Sequence, residues 1–298
     1  MKKSFVKMKM NAMKFAIPLF VALAYGPAQA QILGPELASF AVLAETSVTN
    51  VPTSTIVGNV GVSAGVSITG FGTTIPLTAT SDPQVTGGLV HTTTGVAALA
   101  QGQLGDAILS LNGMANTGGS LLGNINGTYS PGVYDGGAGL LTGALTLDGS
   151  LNGAAPDVWV FRFASSLTTA ASGSSVSVVN VGDGSDVGIY WVVGDFATLN
   201  GPTFAGNVLA QKTISSNGAL TLSCGRLLSA TADVTLIGDT ISAGCFGIDT
   251  PGSGSGGFDQ GNPTAPIPEP EIYAMMAVGL GLLGWVGRRK KLKEAAAA

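Results

Sequence analysis

Thr142-Gly-Ala-Leu145, Thr169-Ala-Ala-Ser172, Asn200-Gly-Pro-Thr203, Asn217-Gly-Ala-Leu220 and Ile237-Gly-Asp-Thr240 form a weak internal repeat between Gly132 and Ser242. In most of these segments Thr or Asn comes first and Gly or Ala second. Apolar runs such as Leu145-Thr-Leu147, Val176-Ser-Val-Val179, Leu220-Thr-Leu222 and Val234-Thr-Leu236 flank them. Self-similarity with a period drifting over roughly 20 to 30 residues is the mark of a solenoid, in which each coil buries its faces only against its neighbours. Leu33 to Val66 has the same texture, as in Ile56-Val-Gly-Asn59 and Val60-Gly-Val-Ser63, so the coils are expected to begin there.

Composition agrees with thin, close-packed coils. The chain has 298 residues, of which 45 are Gly, with 10% charged and 6% aromatic residues, too few aromatics for a thick globular core. Its high apolar content and low charge argue against disorder.

The character changes from about Thr92 to Met114, the expected span of one amphipathic helix. Val96, Leu99, Ala100, Leu104, Ala107, Ile108 and Leu111 fall near i, i+3, i+4 and i+7 and predict one apolar stripe packed along a side of the solenoid.

The first thirty residues read as a secretory signal. Lys2, Lys3, Lys7, Lys9 and Lys14 form a basic region, Phe15 to Tyr25 an apolar one, and Ala28-Gln-Ala30 a cleavage site before Gln31. The pair Cys224 and Cys245 then reads as a disulfide formed in an oxidising compartment. Residues 250–266, rich in Gly, Ser and Pro, read as a flexible linker after a domain spanning 31–249.

Charge limits the partners. Between Gln31 and Pro270 the only cations are Arg162, Lys212 and Arg226, which excludes nucleic acid as a main partner. With His91 as the one histidine, neither a metal centre nor a cofactor is expected. Asp148, Asp157, Asp183, Asp186, Asp195, Asp233 and Asp239 are scattered, mostly beside Gly in turns. They read as turn residues, not as a catalytic cluster, and Asp183-Gly-Ser-Asp186 reads as a turn in preference to a calcium loop. Asp195 with Lys212 and Arg162 reads as an ion-pair group. Trp159, Tyr190 and Trp191 sit in apolar strands and should face the core, not a glycan groove. No enzymatic activity is expected.

The order of pieces resembles a known family. Leu33-Gly-Pro-Glu-Leu-Ala-Ser-Phe-Ala-Val-Leu-Ala44 opens the domain, Ile56-Val-Gly-Asn-Val-Gly-Val-Ser63 follows, and after the helix come Tyr129-Ser-Pro-Gly-Val-Tyr134 and Leu145-Thr-Leu-Asp-Gly149. Val158-Trp-Val-Phe-Arg-Phe163, Ile189-Tyr-Trp-Val-Val193, Gly206-Asn-Val-Leu-Ala210 and Gly225-Arg-Leu-Leu-Ser229 complete the set. Together they resemble the microbial ice-binding (antifreeze) proteins over about Leu33 to Ser242. The resemblance implies an all-β-dominated fold: a discontinuous right-handed β-solenoid of triangular section, coils out of sequence order, with one long helix alongside. It also implies that ice adsorbs on a flat face bearing a Thr-Ala/Gly-X-Thr/Asn pattern. Carried over residue by residue, that pattern picks out Thr142, Thr169, Ser172, Asn200, Thr203, Asn217 and Thr240, with Leu145 and Leu220 at two outer positions. Thr203→Tyr is expected to abolish activity while the fold stays intact.

Such a face suits ice for physical reasons. Strands stack about 4.8 Å apart and alternate residues along a strand are just under 7 Å apart, so side chains form a two-dimensional lattice near ice spacings. Threonine is stiff at χ1, so its hydroxyl and methyl hold fixed positions with little entropy to lose.

The C-terminus carries Pro268-Glu269-Pro270, an apolar stretch from Ile272 to Gly287 and the cluster Arg288-Arg-Lys-Lys291. This order, over 267–298, resembles the PEP-CTERM sorting tail of exported Gram-negative proteins, with its short transmembrane segment. It implies handling by export and sorting machinery and a place outside the cell or on its surface. The expected ligand is an ice crystal surface; an exopolysaccharide matrix is the alternative, and the domain is expected to act as a monomer.

Overall fold

The computed structural model describes residues 32–51, 53–71, 78–151, 157–181 and 187–243. The signal, the linker, the sorting tail, Cys245, Asp183 and Asp186 lie outside the described residues.

Short parallel strands stack into coils with three faces. The first face is a long sheet running from Val90–Thr92 through Asn59–Val62, Phe40–Ala44, Thr221–Ser229, Thr203–Ala210, Gly188–Val193 and Val158–Phe163 to Gly132–Gly136 and Gly119–Leu121. The second face is a seven-stranded sheet in the order Gly139–Leu141, Leu167–Thr169, Ala197–Leu199, Ile214–Ser216, Val234–Leu236, Ser47–Asn50 and Ser67–Thr69. The third begins with Gly127–Tyr129, Ala144–Asp148 and Ser175–Val179. It continues through the N-terminal halves of Thr203–Ala210 and Thr221–Ser229 to Thr240–Ser242, Thr55–Val57 and Val85–Thr86.

The coils are out of sequence order, as the resemblance implied. The N-terminal strand Ser47–Asn50 pairs with Val234–Leu236, and Phe40–Ala44 with Thr221–Ser229. The two long strands turn the corner between third and first faces at a register shift between Ala205 and Asn207. Gly206 has φ +101° there, and a Cβ would come within 2.6 Å of Ile189, so only glycine fits.

Alternation fills the interior. In Leu167-Thr-Thr169, Ala197-Thr-Leu199 and Val234-Thr-Leu236 the first and third side chains are buried and the middle one faces out. Aromatic rings stack from coil to coil inside: Tyr134 on Phe161 at 5.3 Å, Phe161 on Trp191 at 4.5 Å, then Phe204 at 4.9 Å. Trp159, Tyr190 and Trp191 are all buried, and the indoles donate to the carbonyls of Tyr129 and Ala205.

Helix α1 (Pro35–Ala38) and helix α2 (Gly95–Asn112) cover the first face. Thr94 caps α2 by accepting from Ala97 N at 3.2 Å. The buried stripe is Ala97, Ala100, Leu104, Ala107 and Leu111. It lies on Phe40, Leu43, Val160, Tyr190, Val192, Leu209 and Leu228. The expected stripe was rotated too far: Val96 and Leu99 are 40% and 59% exposed, because small Ala97 and Ala100 permit closer packing.

The expected ion-pair group also needs correction. Lys212 does bond Asp195, at 2.6 Å. Arg162 instead grips Asp135, at 2.6 and 2.9 Å, and its NH1 group donates to the carbonyls of Leu111, Asn112 and Met114 at the end of α2. Asp135 is the in-register neighbour of Arg162 on the adjacent strand, and the carbonyls at the end of α2 add further acceptors at the same place.

Candidate functional site

The repeat seen in the sequence is a corner, where the second face turns into the third. Its first position ends or directly follows a second-face strand. Its fourth lies at or beside the start of a third-face strand in every segment but the one ending at Ser172, which sits in the turn before Ser175–Val179. Leu145 and Leu220, expected at outer positions, point inward and are buried; the outward residues are their successors, Thr146 and Thr221.

The seven residues singled out by pattern fall into different settings. Thr169 is 1% exposed, and its hydroxyl accepts from Asn200 N at 2.8 Å and Gly201 N at 2.9 Å, so it holds the corner from inside. Asn200 donates to Thr169 O at 2.8 Å and accepts from Asn217 Nδ2 at 2.9 Å. Thr142 accepts from Asn124 and Asn126 at one end of the stack, and Ser172 lies exposed in a turn. Thr203 and Thr240 are exposed on the third face, where Thr221 stands between them in register. Thr55 continues that column.

A longer column lies on the second face, and pattern reasoning missed it. Strand register sets Leu140, Thr168, Thr198, Ser215, Thr235, Thr49 and Thr69 side by side, one per strand across all seven strands. Their buried neighbours hold the backbone, as with Val234 and Leu236 around Thr235. The sequence signal was a single Thr or Ser between two inward residues, too common in strands to mark a site.

Two positions earlier in each strand or its approach stand Ala138, Ser166, Phe196, Thr213, Asp233, Ser47 and Ser67. Phe196 is 45% exposed, and Thr213 donates to Asp233 at 2.9 Å. Lys212, at the edge toward the first face, is tied to Asp195. The face therefore offers hydroxyls and methyls with little charge, suited to ordering water and not to gripping an ion.

Among the described residues no group of three His, Cys, Asp or Glu lies close enough to hold a metal. His91 is buried against Phe40, with its ring Nδ1 3.1 Å from Thr94 Oγ1, and burial lowers its pKa. Cys224 is buried, no free thiol occurs among the described residues, and Cys245 lies outside them.

The ice-binding-like family model matches residues 42–242, the whole run of coils. The chain belongs to that family. An ice-binding protein of Nostoc sp. (strain HG1) is 32% identical over 82% of this chain and 81% of its own. One from Colwellia sp. is 29% identical over 78% and 94%. Among solved structures, the ice-binding protein of Antarctomyces psychrotrophicus is 33% identical and superposes with a TM-score of 0.60, covering 70% of this chain and 96% of that one. An ice-binding protein domain of Shewanella frigidimarina gives 26% and 0.61, covering 72% and 97%. A PEP-CTERM protein-sorting motif matches residues 266–291, around Pro268, Glu269 and Pro270. No helix among the described residues is long and apolar enough to cross a membrane.

Proposed function

We propose that this protein adsorbs to ice through its second face and so inhibits ice growth and recrystallisation. Family membership supports ice as the ligand. The observation that carries the choice of face is the in-register run Thr168, Thr198, Ser215, Thr235, Thr49 and Thr69. Parallel strands repeat at about 4.8 Å, so the run presents five threonines and one serine at regular spacing on a nearly uncharged sheet. Each threonine hydroxyl anchors a water, and each methyl leaves the neighbouring waters to bond one another as in ice. Thr203 and Thr240 belong, in this reading, to the adjoining third face, with Asn200 and Asn217 on the edge between.

The reading includes export, cleavage after Ala30, a non-catalytic monomeric domain over 31–249, a linker over 250–266 and a sorting tail over 267–298 recognised by membrane machinery. It also includes a Cys224–Cys245 disulfide, checked by mass spectrometry with and without reductant.

The test is ice recrystallisation with the purified protein, a heat-denatured control, Thr198→Tyr and Thr203→Tyr. Inhibition at micromolar concentration that is lost on denaturation and in Thr198→Tyr supports the second face. Loss in Thr203→Tyr alone would transfer the site to the third face. A folded protein inert toward ice would favour an exopolysaccharide matrix as ligand.

A further inference from the structure

The corner between the second and third faces encloses polar side chains that the ice reading does not use. Asp239 is 1% exposed. Its Oδ1 accepts from Leu220 N at 3.0 Å, and its Oδ2 from Ile237 N at 3.1 Å and from the Ser216 hydroxyl. Its own N–H donates to Ser54 Oγ at 2.9 Å, and its carbonyl accepts from Thr55 N at 2.7 Å. Ser54 N in turn donates to Asn50 Oδ1 at 3.2 Å. Asn50, Ser54 and Ser216 are as buried as Asp239.

Apart from Ile237, the buried members of this network each adjoin an outward hydroxyl in the chain. Ser216 follows Ser215 and Asn50 follows Thr49 on the second face. Leu220 precedes Thr221, Asp239 precedes Thr240 and Ser54 precedes Thr55 on the third. One aspartate thus ties three neighbouring coils together where each passes from one face to the other, two of them through its carboxylate and the third through its backbone.

We propose that Asp239 is a positioning residue for ice binding, fixing the register of the hydroxyl columns on both sides of this corner. Ladder hydrogen bonds set the spacing along the stack. In strands of three residues they constrain twist and sideways offset poorly, and parallel strands twist by default. A twisted column would no longer match a plane lattice. Asp239 counters this by accepting from the backbones of two corners at once. Lighter versions sit further along: Thr169 Oγ1 accepts from Asn200 N and Gly201 N, and Asn126 Oδ1 from Thr142 N and Gly143 N.

This inference rests on the reading that these columns touch ice. It is tested by measuring thermal hysteresis near the freezing point for the full protein and for Asp239→Ala, Asp239→Asn and Ser216→Ala, with unfolding followed by circular dichroism. Near freezing each folding-competent variant is fully native, so a merely structural role would lower the melting temperature and leave activity per folded molecule unchanged. The expected result is a loss of about fivefold or more per folded molecule in Asp239→Ala. Substantial recovery is expected in Asp239→Asn, which keeps an acceptor for Leu220 N–H and a partner for Ser216. Full activity per folded molecule in Asp239→Ala overturns the proposal. If that variant does not fold, full activity in Ser216→Ala despite a lowered melting temperature does so. If Thr198→Tyr and Thr203→Tyr both keep full activity, the reading of the faces fails, and the inference with it, whatever the Asp239 variants do.

Discussion

The Arg162 guanidinium grips Asp135 with two hydrogen bonds, 2.6 Å from Nε to one carboxylate oxygen and 2.9 Å from NH2 to the other. Its remaining nitrogen caps the carbonyls at the end of α2, so one side chain clamps two neighbouring strands to the helix. The hydrogen bonds from Arg162 are the main reason the Asp135 carboxyl lies below the usual aspartate range, with Asn116 adding to them. A carboxyl whose folded pKa is depressed adds stability that is present above its unfolded pKa and lost as pH falls through the folded one. The melting temperature of Asp135→Asn should therefore lie below that of the parent at neutral pH, and the gap should close below about pH 4. Thermal melts across pH check this; a gap that persists in acid would assign the effect to shape instead of charge. Asp239, raised by burial, works in the opposite sense and loses stability as pH climbs through its range.

Thr198 is central in the second-face column, between Thr168 and Ser215. Thr198→Tyr places a ring above the plane of the sheet and should cut thermal hysteresis by about tenfold or more, with an unchanged melting temperature. Unchanged hysteresis would remove this face from consideration.

Ser215 is the one serine in the run from Thr168 to Thr69. Ser215→Thr supplies the missing methyl and restricts the side chain to fewer rotamers, so hysteresis should rise at equal concentration. A decrease would mean that the column needs a gap there.

Phe161 lies fully buried between Tyr134 and Trp191, with centroids at 5.3 and 4.5 Å. Phe161→Ala removes the middle of this interior stack and should cost about 3–5 kcal/mol of unfolding free energy, read by denaturant titration. A cost below about 1 kcal/mol would mean that the coils close up around the cavity.

Arg226 is a buried cation whose burial holds its pKa down to about 10. It donates twice to Ala38 O, at 3.1 and 2.7 Å, and once to Asn207 Oδ1 at 2.8 Å, fastening the end of α1 to the sheet. Arg226→Ala strands those buried acceptors and should cost about 3 kcal/mol, whereas surface Lys212→Ala should cost less than about 1. Equal costs would show that Arg226 repays little more than its own desolvation.

The solenoid was legible because its signals are local. Small residues, three-residue alternation in Leu167-Thr-Thr169 or Val234-Thr-Leu236, and a drifting repeat all report on single coils. The outward hydroxyl columns were not legible for the converse reason. The repeat is strongest at Thr169-Ala-Ala and Asn200-Gly-Pro, where the backbone needs a corner and side chains must satisfy exposed N–H groups. Corner geometry constrains sequence more tightly than solvent contact does, so Thr169 carried the pattern and is buried, while Thr198 carried no pattern and faces out. The leucines at 145 and 220 show the same offset by one residue.

By itself the sequence determined the coil type, the helix, the scarcity of charge and the family, since each follows from residues close together in the chain. Which threonines share a face was decided only by the tertiary structure. The column from Thr168 to Thr235 runs through irregular loop lengths, then passes to Thr49 and Thr69 because the N-terminal coils stack beyond the C-terminal ones. Register across parallel strands is set by hydrogen bonds between segments far apart in sequence, and a shift of one residue would turn every threonine inward.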